Sequence, residues 1–179
     1  MPLIKFINKN NFTYGIWAIT ESVTTLLGKG DFNENEKIYL EKIKNINRKK
    51  QSIASKLILN KISNKKIDVY YNKFGAPFCK KIKNISISHS NNLSAALISN
   101  EKIGIDIQYK NRRIQQIKNK FINENDLNHS FEQDVFLHYV WCSKEAIYKT
   151  LNGLTCSFKK HIFIKNLSKN ESLGLYIRE

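Results

Sequence analysis

The stretch ISISHSNNLSAALISNEKIGIDI, residues 85–107, decides how the chain is read. Ile85, Ser86, Ile87, Ser88 and His89 alternate apolar with polar, the period-two pattern of a half-buried strand. Residues 93–98 and 103–107 are two more β-type runs, joined by the polar Asn100, Glu101 and Lys102, so the middle of the chain is expected to pair them as an antiparallel hairpin. Upstream, residues 13–19 are rich in aromatic and β-branched side chains and read as a strand, followed by a break at Gly28, Lys29, Gly30 and Asp31. Two helices follow. The second starts near Asn47, with Ile53, Leu57, Ile58 and Ile62 on one side and Arg48, Ser52, Ser55 and Lys56 on another, a core face plus a basic stripe. Residues 67–71 read as a short strand and 72–77 as a turn.

Downstream, Ile114, Ile117, Phe121 and Ile122 mark a short amphipathic helix. A longer helix is expected from about Ser130, whose hydroxyl can cap it with Gln133 three residues on, to a stop at Asn152 and Gly153. Residues 158–165 and 173–178 then suggest a final hairpin. Strand, helices, strands thus occur twice, an α+β order with a loose internal repeat dividing near Asn100 into residues 1–99 and 100–179. Two such halves are expected to bury their sheets against each other and leave a cleft, a common place for a ligand.

The chain has 179 residues with 41% hydrophobic and 25% charged, a globular balance that argues against disorder. Thirty basic against fifteen acidic side chains leave a formal charge of +15, which brings an acidic partner into view. That surplus accompanies a chain-wide preference for Lys, Asn and Ile, as AT-biased coding gives. A surplus from drift spreads over the surface instead of gathering at a site, so the charge is discounted as evidence of nucleic-acid binding. Cys79, Cys142 and Cys156 form no CxxC pair, which argues against a disulfide framework or a zinc knuckle. Polar residues such as Lys5, Asn8, Lys9, Asn10 and Asn11 interrupt residues 1–20, so neither a signal-peptide core nor a membrane span is expected, and a reducing cytoplasm fits best.

Three short constellations could carry chemistry. In residues 103–107 the isoleucines take one face while Gly104, Asp106 and Gln108 take the other. A carboxylate beside an apolar face needs a cation or several N–H donors to offset its desolvation, and the segment alone leaves both open. In Trp141, Cys142, Ser143, Lys144, Glu145, Ala146, Ile147, Tyr148 and Lys149, helical spacing puts Trp141, Glu145 and Lys149 one turn apart. Taken alone, Glu145 and Lys149 read as a surface ion pair. With Asp106, Glu145 becomes a second carboxylate able to share one Mg²⁺, an ion that takes one or two protein carboxylates and fills its octahedron with phosphate oxygens and water. Ser88, His89 and Ser90 offer several donors suited to a phosphate, although a lone His there is commonly structural. His138 and Cys142 lie at i and i+4 but have no further ligands in view and read as helix packing.

Together, Ile87 to Ser90 as ISHS, Ile103 to Asp106 as IGID, and Trp141 to Lys149 as WxxKEAxxK resemble, in this order, the signatures of the single-chain, surfactin-type 4′-phosphopantetheinyl transferases. Arg48 to Lys56 is similar to that family's basic helix and Phe74 to Phe78 to its GKP turn. The resemblance implies two similar α/β halves in a pseudo-twofold arrangement with the active site in the cleft between them. It also implies transfer of the phosphopantetheine arm of coenzyme A to a carrier-protein serine, with release of 3′,5′-ADP. By the same resemblance Asp106 and Glu145 hold Mg²⁺, with Mn²⁺ an alternative, and Lys149 faces the pyrophosphate. His89, Ser88, Arg48 and Lys56 grip the phosphates of coenzyme A, Lys144 is a second phosphate candidate, and Glu145 or Asp126 takes the serine proton.

Three departures stand out. Gln108 replaces a common third carboxylate, Ala76 replaces the lysine of the GKP turn with Lys73 or Lys80 as substitutes, and the sequence ends at Glu179, earlier than many relatives. They leave room for a catalytically weakened homologue that only binds coenzyme A or a carrier protein. The expected partner is an acidic acyl carrier protein, steered by the basic charge and docking on residues 114–122; a monomer is expected. A rival from another class, a small basic nucleic-acid-binding protein, needs exposed aromatics interleaved with basic residues or a recognition helix, and neither stands out in the sequence.

Overall fold

A computed structural model of the chain describes residues 3–126, 132–165, 167 and 173–177. Among the described residues the fold is mixed α+β, built on a four-stranded antiparallel sheet and six helices. The chain divides into two compact units, Met1–Ile107 and Gln108–Glu179, each with its own apolar core. Residues 103–107, expected to open the second half, therefore belong to the first unit. No described helix is long and apolar enough to cross a membrane.

The first unit runs β1 (Leu3–Asn8), β2 (Phe12–Ala18), α1 (Val23–Leu27), α2 (Glu34–Lys42), α3 (Ile46–Ser63), β3 (Tyr70–Tyr71), β4 (Pro77–Phe78), β5 (Asn84–Ser90) and β6 (Leu93–Ser99). The sheet order is β1-β2-β6-β5. Helix α3 starts where the Asn45 side chain accepts from the Arg48 N–H at 3.0 Å, and ends on Asn64 in a left-handed conformation, φ 52°. Its Ile53, Ala54, Leu57, Ile58 and Ile62 enter the core above the sheet. Close approach there requires small residues: Gly15 of β2 pairs with Ala96 of β6, and a Cβ on Gly15 would lie 2.9 Å from Ile58 Cγ2.

The expected pairing of residues 93–98 with 103–107 does not form. Strand β6 is hydrogen-bonded to β2 on one side and to β5 on the other, so neither edge remains for a further strand. Strands β5 and β6 are instead joined through Asn91 and Asn92, with Ser90 opposite Leu93 and Asn91 at φ 49°, a left-handed conformation that asparagine tolerates. Strand β1, which the sequence reading left unassigned, forms the other edge with an irregularity between Leu3 and Lys5. The turn at residues 72–77 occurs where expected: the Asn72 side-chain Oδ1 accepts from the Phe74 and Ala76 N–H groups, each at 2.9 Å, and Gly75 supplies φ 79°.

The second unit comprises α4 (Ile114–Phe121), a 3₁₀ turn (Glu124–Asp126), α5 (Gln133–Lys149), α6 (Phe158–His161), β7 (Ile162–Lys165) and β8 (Leu173–Tyr176). Strands β7 and β8 pair antiparallel, the final hairpin read from the sequence, with α6 taking the first residues of its expected opening run. The expected cap at Ser130 lies outside the described residues, and α5 starts after Glu132. The core gathers Ile114, Phe121, Phe136, Leu137, Val140, Ile162 and Ile164.

Candidate functional site

The alternation in β5 aims its isoleucines at the core beneath α3, yet its serines are buried more deeply: Ser86 is 4% exposed and Ser88 5%. A buried hydroxyl needs partners, and residues 103–107 supply them. Ser86 Oγ accepts from the Ile105 N–H at 3.1 Å and Ser88 Oγ from the Ile107 N–H at 3.2 Å. Ser88 Oγ in turn donates to Asp106 Oδ1 at 2.6 Å. The sequence reading gave Ser88 to a phosphate. The structure places its hydroxyl on Asp106, so the ISHS and IGID motifs form one local construction. His89, on the same strand face as Ile85 and Ile87, is half-buried opposite Ser94.

The expected basic stripe of α3 splits. Arg48 and Ser52 are half-buried, but Ser55 turns to the sheet, sharing a 2.8 Å hydrogen bond with Ser94 Oγ and donating to Gln51 O at 2.9 Å. Lys56 is 5% exposed, and its ammonium pairs with Glu36 and donates to Ile67 O. Lys56, expected as a phosphate ligand, thus takes part in a buried ion pair in the wall of a pocket. That pocket, about 310 Å³, has a mainly apolar lining that includes Tyr39, Ser52, Tyr71 and Ile87. Tyr39 and Tyr71 stack there with centroids 5.3 Å apart. Burial first, then neighbouring Tyr39, pushes the Tyr71 phenol up to about 12, while the positive charge of Arg48 pulls the other way.

Helix α5 carries the third motif. Trp141 packs its ring edge-on to Phe121, centroids 5.1 Å apart, and tilted to Phe158 at 5.6 Å, which fixes the helix against α4 and α6. Glu145 and Lys149 follow one and two turns later, both half-buried. Cys156 senses Glu145: burial first, then that carboxylate, pushes its thiol up.

Lys144 and Asp126 differ from their expected roles as phosphate ligand and proton acceptor. They are each other's partners, with side chains 0% exposed and Nζ 2.6 Å from Oδ2. Lys144 Nζ also donates to Phe121 O at 2.6 Å and Phe158 O at 3.1 Å, which uses all three of its donors. Asp126 accepts further from the Asn123 N–H at 2.9 Å and the Ile164 N–H at 2.8 Å. Burial pulls the Lys144 ammonium below its usual range, and the carboxylate acts against that pull. The pair is a structural knot joining α4, the 3₁₀ turn, α5, α6 and β7. His138 is structural too: Nε2 accepts from the Asn111 N–H at 3.1 Å, so Nδ1 donates to Asp134 O at 2.7 Å.

The structure also exposes aromatics among lysines, which the sequence did not make evident. Tyr70 and Phe78 pair across β3 and β4, with Lys80 Nζ 5.6 Å from the Tyr70 ring and Lys73 Nζ 5.0 Å from Phe74. No family model matches the chain, and no curated protein matches it.

Proposed function

We propose that the chain transfers the 4′-phosphopantetheine arm of coenzyme A to a serine of an acidic acyl carrier protein, with Mg²⁺, releasing 3′,5′-ADP. The observation that carries this reading is the Ser88 to Asp106 bond, which ties two of its three motifs together and gives the carboxylate a fixed orientation. Carboxylates used as metal ligands are commonly held by such outer hydrogen bonds. The pseudo-twofold arrangement of the resembled family is part of the proposal.

The donors assigned to the metal, Asp106 and Glu145, are hard oxygens that suit Mg²⁺ and also Mn²⁺. When bound, the ion supplies charge neutralisation at the diphosphate. Lys149, one turn beyond Glu145, offers its ammonium where negative charge grows on the leaving group. The tyrosine-lined pocket suits the flat adenine ring, with Arg48 and His89 as phosphate partners. Lys56, Lys144 and Asp126 are committed elsewhere, which leaves Glu145 to accept the proton of the carrier serine.

Intact mass spectrometry of an apo carrier protein incubated with this chain, coenzyme A and Mg²⁺ tests the reading. A gain of one phosphopantetheine, abolished by EDTA and by Asp106→Ala or Glu145→Ala, is the expected result. Coenzyme A binding without any gain across several carrier proteins would replace the enzyme by a binder, and absence of both would end the proposal.

A further inference from the structure

A second cleft, of about 610 Å³, lies in the first unit beside the turn between β1 and β2, the end of α3 and the segment leading into β5. Those three separate parts of the chain contribute Lys9, Lys65, Lys81 and Lys83 to its lining, which contains no Asp or Glu. The same unit pairs Lys29, Lys37, Lys56 and Lys66 with carboxylates. Among the described residues none of the four cleft lysines has such a partner. A drift-driven surplus of lysine would scatter, whereas these converge on one concavity.

Neutral donors accompany the ammoniums. Asn8 Oδ1 is taken by the Thr13 hydroxyl at 2.8 Å, so what Asn8 has left to offer the cleft is its amide N–H groups. A carboxylate near the rim, Glu101, is itself engaged by Asn11 Nδ2 at 3.2 Å. Several unpaired cations around one hollow raise the local potential and favour a ligand carrying several negative charges.

We propose that this cleft binds a row of phosphates, as found in a free linear oligophosphate or in the backbone of a single-stranded nucleic acid. Phe78 gives the second source a physical basis, because it is exposed three residues upstream of Lys81, and exposed rings near cationic residues are what stacked bases use.

The test titrates the full chain with tripolyphosphate and, separately, with a short single-stranded oligonucleotide. The wild type is compared with a Lys81→Gln/Lys83→Gln variant and with a Lys159→Gln/Lys160→Gln control of equal net charge on α6. The lysines replaced are exposed, so the cores remain intact. Affinity for at least one probe is expected to fall by roughly tenfold or more in the cleft variant and by less than about twofold in the control. For the oligonucleotide, the slope of log affinity against log salt is expected to shrink by roughly two. Phe78→Ala distinguishes the sources: weakening confined to the oligonucleotide assigns the cleft to a nucleic-acid backbone, and no effect on either probe assigns it to a free oligophosphate. Equal losses in both lysine variants, or no binding of either probe to the wild type, would overturn the proposal.

Discussion

Lys144 shows how far one residue of helical phase moves a side chain. Its neighbour Glu145 is half-buried on α5, while Lys144, about 100° around the axis, continues the buried stripe of Leu137 and Val140 and ends on Asp126. The family resemblance makes Lys144 a second candidate for phosphate. Its spacing of seven from Leu137 and four from Val140 was the available sign that it points inward. A buried cation that loses its partner keeps its desolvation cost. Lys144→Ala and Asp126→Ala are therefore each expected to destabilise the protein by about 3 to 5 kcal/mol. The double variant should lose less than the sum, since neither charge is then left alone. Urea unfolding of the three variants checks this, and strict additivity would mean that the two side chains do not act as a pair.

At the scale of elements, the helices and most strands were legible because their periodicities are local. The partner of β6 was not. Two apolar runs joined by a short polar link read as a hairpin, but the link at Asn91 and Asn92 is shorter and allows the required left-handed turn, so β5 takes that edge. The loss of the expected basic stripe has a similar origin: Ser55 and Lys56 lie on the flank of α3 that meets Ser94 and Glu36, and those partners are 39 and 20 residues away. Helix α3 sits close to the sheet only because Gly15 has no side chain. Gly15→Val is expected to cost about 1 to 3 kcal/mol through overpacking against Ile58, measured as a lower urea midpoint with an unchanged slope. A simultaneous Ile58→Ala change should return part of that loss.

At the scale of the whole molecule, the charge of +15 is the dominant long-range property. It carries no information about fold, but it sets how an acidic partner is encountered. For the acidic carrier protein of the proposed reaction, kcat/KM is expected to fall as salt rises from about 50 to 200 mM, chiefly through slower association. Lys118 and Lys120 in the last turn of α4, the docking segment read from the sequence, test whether that attraction is focused there. Reversing both charges should raise the carrier-protein KM and leave turnover at saturation unchanged; an unaltered KM would move the docking surface elsewhere. Composition made the charge visible at once. Which lysines it leaves without carboxylate partners became visible only with the fold, because pairing depends on residues far apart in sequence.

The serine hooks of β5 make the order of residues 103–107 depend on side chains instead of on a sheet ladder. The amides of Ile105 and Ile107 should consequently resist exchange with heavy water although they belong to no strand, and Ser88→Ala should release Ile107 to rapid exchange while Ile105 stays guarded by Ser86. Deuterium uptake along this short segment thus reports on the restraint of the Asp106 carboxylate in the absence of any substrate, metal or turnover.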